Sequence, residues 1–183
     1  MDRPTELTVA ASDRQLASLV ADRAGQPLGV SNGDVFRTVG APGERPEMVR
    51  LPMDLLRVEA DGRRFSVVAH VVARRSWWHG GIVAVMNVDH VGVWNVAPRA
   101  HPNDGRFDVL EVDRAMTIRQ RLQARGRLVQ GTHVPHPRIA TRTAAHSNWV
   151  FDRPQRLWLD GEHVGSVRAL SVEIEPDAFA VHV

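Results

Sequence analysis

The chain of 183 residues contains no cysteine, no lysine and no tyrosine. Without cysteine there is no disulfide framework, no thiolate nucleophile and no sulfur-ligated metal. That usage fits a reducing compartment, and a cytoplasmic location is expected. Without lysine there is no P-loop lysine and no Schiff-base chemistry. All 23 basic residues are therefore arginine; they face 21 acids, for a formal charge of +2. The isoelectric point near 10.7 follows from the same absences. Almost nothing titrates between histidine and arginine, so a small positive excess persists to high pH. It is no argument for nucleic acid. Long apolar runs are missing too: none approaches the roughly 18 residues of a membrane span. The opening stretch Met1 to Glu6 is polar and has no signal-peptide core.

What is present suits one domain, or one domain with a short appendage. Hydrophobic residues make up 43% of the chain, enough for a real core. Leu16 to Ala24 reads as a short helix with Leu16, Leu19 and Val20 on one stripe. Pro27 to Val30 and the turn-like Ser31-Asn32-Gly33-Asp34 follow. Ala41 to Pro46 has linker composition and divides the chain into residues 1–46 and 47–183.

Beyond Arg50, short β-rich segments alternate with turn residues. Strands are expected at Leu55 to Glu59, Phe65 to Ala73, Ile82 to Val88, Val93 to Ala97 and Phe107 to Val112. Asp113 is expected to cap a helix running to Val129, with Gly131 just past its end. Strand signals return at Ile139 to Thr143, Trp149 to Phe151, Arg156 to Leu159, His163 to Leu170 and Ser171 to Ile174. The expected fold is mainly β (α+β): a sandwich-like β domain with one inserted helix, preceded by a short α/β segment.

Two stretches carry candidate chemistry. In Asn95 to Val112, Asp104 and Asp108 could converge on a hard cation such as magnesium. The competing reading, which spacing alone favours, is an Asx turn around Asn103 and Asp104. In Leu157 to Gly165, Asp160-Gly161 makes a hairpin turn and Glu162 starts the return strand. A carboxylate at such a tip could accept a proton from a substrate hydroxyl, but without further context an ordinary Asp-Gly turn with a solvated Glu is the favoured reading.

Taken together, an ordered set of pieces resembles the C-terminal domain of the diacylglycerol kinase, sphingosine kinase and bacterial lipid kinase family. The set is Asn87, Gly92, Ala97-Pro98-Arg99-Ala100, Asp104-Gly105-Arg106-Phe107-Asp108, Gly131-Thr132-His133 and Asp160-Gly161-Glu162. The resemblance spans Met53 to Val183. It implies that Glu162 is a candidate general base for a lipid hydroxyl, with Asp160 beside it. It also implies that Asp104 and Asp108, with Asp160, belong to a magnesium-associated acidic network, since phosphoryl transfer depends on metal-assisted charge neutralisation.

On the nucleotide side, the family's Gly-Gly-Asp-Gly-Thr motif aligns with Ala11-Ser12-Asp13-Arg14-Gln15, where only the acid is kept. A second motif aligns with Val30 to Gly40 and keeps Asp34, Arg37, Thr38 and Gly40. Asp13, Asp34 and Thr38 are the nucleotide-side candidates that remain. Glycines in such motifs let backbone approach phosphate, and Ser12 and Arg14 would obstruct that approach. The implied function is therefore a lipid-kinase-like protein, degenerate in ATP binding, that holds a diacylglycerol-like lipid or a protein partner. The alternative is an active kinase dependent on ATP and magnesium, completed by a homodimer or a second chain.

Other features have plainer explanations. His133 and His136, with His101, have ligand-like spacing but fit a proline-fixed loop as well. Arg114, Arg119, Arg121, Arg125 and Arg127 could meet anionic headgroups or nucleic-acid phosphates, or simply form a solvated helix face. Nucleic acid is the weakest reading, since composition alone supports it. Trp77-Trp78 beside His79-Gly80-Gly81 could be a tip that makes peripheral contact with a membrane, or packed core.

Overall fold

The computed structural model describes residues 7–22, 26–41 and 48–183. The expected division after Pro46 and the helix end at Ala24 lie outside them. Three helices and twelve strands are described: β1 (Thr8–Ala10), α1 (Asp13–Asp22), β2 (Leu28–Val30), α2 (Asp34–Thr38), β3 (Arg50–Ala60), β4 (Arg63–Val67), β5 (His70–Arg74), β6 (Ile82–Met86), β7 (His90–Val91), β8 (Trp94–Asn95), β9 (Phe107–Val112), α3 (Ile118–Leu128), β10 (Ile139–Ala144), β11 (His146–Leu159) and β12 (Glu162–His182). The fold is mainly β and sandwich-like, as the alternation of strand and turn signals implies.

Ten strands form one sheet in the order β1-β2-β12-β11-β5-β6-β9-β10, with β3 on β12 and β4 on β3; β7 and β8 pair separately. The long strand β12 organises it. One end pairs with β11, its middle and far end pair with β3, and Val181 and His182 pair in parallel with β2. The segment carrying β1, α1, β2 and α2 is thus stitched into the main sheet. No described helix is long and apolar enough to cross a membrane.

Side chains on a strand alternate between faces, and here both faces are buried. Val71, Ala73, Val83, Val85 and Val109 point into the central core with Phe107, Leu157 and Leu159. Val72, Ile82, Ala84, Met86 and Leu110, from the same three strands, form a second apolar layer on the other face. A third cluster packs Leu16, Ala17 and Val35 of the two short helices against Met53, Leu55 and Val181.

Four local features differ from the sequence reading. The expected strand Phe65 to Ala73 is broken at Val68 and Ala69, because the backbone amides of Val68, Ala69 and His70 turn to meet the Asp160 carboxylate. Val93 to Ala97 holds only the two residues of β8. The cap of α3 is Thr117, in a capping box with Gln120, while Asp113 accepts from Ala115 N and pairs with Arg138. The segments read as four strands after Trp149 merge into β11 and β12, bent by register shifts between Val150 and Gln155 and between Glu175 and Phe179.

Candidate functional site

The turn Asp160-Gly161 has positive φ at both positions (48° and 83°), the hairpin geometry that an Asp-Gly pair favours. It sends its two acids in opposite directions. Asp160 points inward and is 7% exposed. Its carboxylate accepts hydrogen bonds from Val68 N (3.2 Å), Ala69 N (2.8 Å) and His70 N (3.2 Å). Burial outweighs these donors and pushes its pKa up to about 7. Glu162 points to solvent, 3.6 Å from Arg14 Nε on α1.

Asp13 lies close enough to both Asp34 and Asp160 for charge to couple it to each. The Asp13 charge raises both Asp34 and Asp160. Asp13 caps α2: its oxygens accept from Asp34 N (2.6 Å) and Val35 N (3.0 Å). Gly33 makes this approach feasible, since a Cβ there would sit 2.5 Å from Asp13 Oδ1. Burial holds the Asp13 carboxyl above its usual range in spite of both donors. Asp34 accepts from Gly92 N at 2.8 Å and lies 3.5 Å from His70 Nδ1. Burial, then the Asp13 charge, lifts Asp34 to about 6. His70, buried, is pushed down to about 4 and is neutral beside it. Thr38 reaches the same neighbourhood through a 2.6 Å bond to Asp89 Oδ1.

Asp104 and Asp108 flank Gly105, where the opposite end of a hydrogen-bonded chain begins. Asp104 accepts from Arg106 N, an Asx turn of the kind its neighbours suggest. Asp108 is half-buried and raised, by desolvation first and then by Asp104. The loop is anchored by Asp54, which is fully buried and accepts from Gly105 N (2.7 Å) and Asp177 N (2.9 Å). Asn87 continues the chain by donating to Asp54 O and Val68 O, and Val68 N leads to Asp160. The motif pieces are thus packing partners. Gly131 is a further case: a Cβ there would strike Pro98 Cγ at 2.7 Å.

Asp54, His70 and Asp89 escaped the sequence reading. Asp54 did leave a signal, a lone acid inside the apolar run Leu51-Pro52-Met53-Asp54-Leu55-Leu56, where a charge needs dedicated partners. The histidine grouping does not assemble. His101 and His136 accept from Asn103 N and Arg138 N, and among the described residues no three His, Asp or Glu side chains are placed to hold one metal ion.

The second candidate feature is a cavity of about 240 Å³ between α3 and the outer layer of β5, β6 and β9. Trp77, Trp78, Trp94, Val72, Ala84 and Leu110 are among its walls, and apolar atoms dominate them. Arg121 of α3 is buried and holds the roof in place. Its guanidinium donates to the carbonyls of Met116, Trp77, Gly80 and Asp113. His133 also lines the cavity; it is 2% exposed, and neither ring nitrogen makes a hydrogen bond of good geometry. Burial, the larger effect, lowers its pKa, so the ring is neutral; an interaction with the Val96 backbone acts in the opposite direction.

The family model described as "YegS C-terminal NAD kinase beta sandwich-like domain" matches residues 44–183. Among solved structures, the chain is similar to three from Bacillus anthracis str. Sterne. One is described as a diacylglycerol kinase, with 13% identity and a TM-score of 0.64 over 96% of this chain and 75% of that one. Two others are assigned as diacylglycerol kinases, with identities of 13% and 11% and TM-scores of 0.70 and 0.71. Each pairs 96% of this chain with 77% of its own. At such identities the likeness is one of fold. No curated protein matches the sequence.

Proposed function

Because the chain belongs to the family described as the YegS C-terminal NAD kinase beta sandwich-like domain, we propose that it is a diacylglycerol-kinase-like protein that binds a lipid under α3 and transfers no phosphate on its own. The cavity under α3 carries this reading. Its volume and apolar walls suit a short acyl segment, each buried CH₂ contributing about 0.8 kcal/mol. His133 offers a neutral ring with no hydrogen bond of good geometry to an ester carbonyl or hydroxyl, which supports a ligand that is mostly apolar with one polar group.

Magnesium and ATP phosphates fit Asp13 and Asp160 poorly. Asp13 spends both oxygens on the amides of α2, and Asp160 spends its own on the Val68 to His70 backbone. A cation would have to compete with these backbone amides for the carboxylate oxygens. Phosphoryl transfer is therefore not assigned to them. The second reading, a kinase completed by a dimer or another chain, draws on Glu162, an exposed carboxylate whose described ion pair is with Arg14 alone. There it could serve as a base only once a nucleotide and metal were supplied from elsewhere.

Calorimetry with soluble dihexanoylglycerol and, separately, with ATP and magnesium tests the proposal. Dihexanoylglycerol is expected to bind, and Ala84→Phe, which fills the cavity, is expected to weaken it at least tenfold. ATP is expected to give no saturable heat. Micromolar ATP binding with phosphate transfer that dies in Glu162→Gln would establish the second reading instead.

A further inference from the structure

The exposed side of α3 differs in character from the side that roofs the cavity. Ile118, Leu122 and Val129 fall on one helical stripe and are 48%, 53% and 60% exposed. Next to them, Trp77 and Trp78 are 42% and 37% exposed. The Arg125 guanidinium lies 5.9 Å from the Trp78 ring, and Arg121 bonds the Trp77 and Gly80 carbonyls, so helix and tryptophan loop form one surface. Large apolar side chains grouped this way on a soluble face mark a contact surface.

The charge says what kind of contact. From Arg114 to Phe151 the chain has seven arginines and no aspartate or glutamate. Arg121 is buried among carbonyls, Arg138 pairs with Asp113, and Arg142 lies 3.7 Å from Glu111. Arg114, Arg119, Arg125 and Arg127 have no ion pair among the described residues. A second copy docked symmetrically on this stripe would set arginine against arginine. An anionic bilayer surface instead offers phosphate to the arginines and an interface in which tryptophan and leucine side chains settle.

We propose that α3 and the Trp77-Trp78 loop form a docking surface for an anionic phospholipid membrane. Ile118, Leu122, Val129 and the two tryptophans enter the interface, and Arg114 and Arg119 meet headgroups. The surface adjoins the cavity walls, so a docked molecule presents its cavity to the bilayer. This relevance to lipid capture rests on the proposed function; the docking itself does not.

Cosedimentation with vesicles tests it. Vesicles of phosphatidylcholine alone are compared with equal parts of phosphatidylcholine and phosphatidylglycerol. Partition onto the anionic vesicles is expected to be at least tenfold stronger and to fall as salt is added. Arg114→Gln with Arg119→Gln is expected to weaken it roughly tenfold to thirtyfold, about fivefold per arginine. Leu122→Asp is expected to abolish it. All three positions are exposed and line no part of the cavity, so dihexanoylglycerol binding should persist in these variants. Docking without dihexanoylglycerol binding would sink the function and spare the surface. Equal partition onto both vesicles, or unchanged partition of the variants, would overturn the docking surface. So would a dimer that Leu122→Asp dissolves.

Discussion

Asp160 and Asp34 hold their protons more tightly in the fold, near pH 7 and 6, than at their ordinary value of 3.8. Their stabilising effect is complete below about pH 3.8 and is lost as pH rises through 6 and 7. His70 has the opposite sign. Its folded value near 4 lies below its ordinary 6.5, so its effect is complete above 6.5 and is lost as pH falls. Between pH 6.5 and 7.5 Asp160 dominates. The urea midpoint is expected to fall across that window, and Asp160→Asn is expected to flatten the slope. An equally steep slope in the variant would contradict the assignment. Asp54→Ala leaves the Gly105 and Asp177 amides without their acceptor. At about 1–3 kcal/mol per orphaned donor, it is expected to cost ~2–6 kcal/mol by urea unfolding. These roles were only half legible in the sequence. Asp13, Asp34 and Asp160 were singled out for chemistry, but not as acceptors for backbone amides. Those partners lie 21 to 92 positions away, beyond the reach of any local pattern.

At the scale of elements, α3 matters most. It has 11 residues with Gly126 inside, too short to be stable alone, and it depends on its cap and on Arg121. Thr117→Ala removes the acceptor for Gln120 N and is expected to cost about 1 kcal/mol in a thermal melt. The Thr-x-x-Gln signature was present in the sequence, yet Asp113 competed as the cap. What separates them is Arg138, which engages Asp113 from across a loop. Strand identity was legible where a short run rich in β-formers lies between turn signals, as in Phe107 to Val112, which matches β9 residue for residue. It was not legible where a remote carboxylate breaks a strand, as at Val68, or where bulged segments join into β12.

Across the whole molecule, the three strands β5, β6 and β9 separate two apolar layers, and this explains the uninterrupted apolar run Ile82 to Met86. Phe107 is 1% exposed in the central layer, and Phe107→Ala is expected to cost roughly 3–5 kcal/mol. The layer on the other side is thinner and leaves the cavity beneath α3. The sequence had flagged the tryptophans and the arginines beside it, but not that they share one surface, because β5 to β6 and α3 are joined only through the sheet. The most direct measurement is quenching of tryptophan fluorescence by a diacylglycerol brominated on its short chains. Three of the five tryptophans, Trp77, Trp78 and Trp94, line the cavity. Saturable quenching that Ala84→Phe removes is the predicted result; no quenching, or quenching indifferent to Ala84→Phe, would contradict the account.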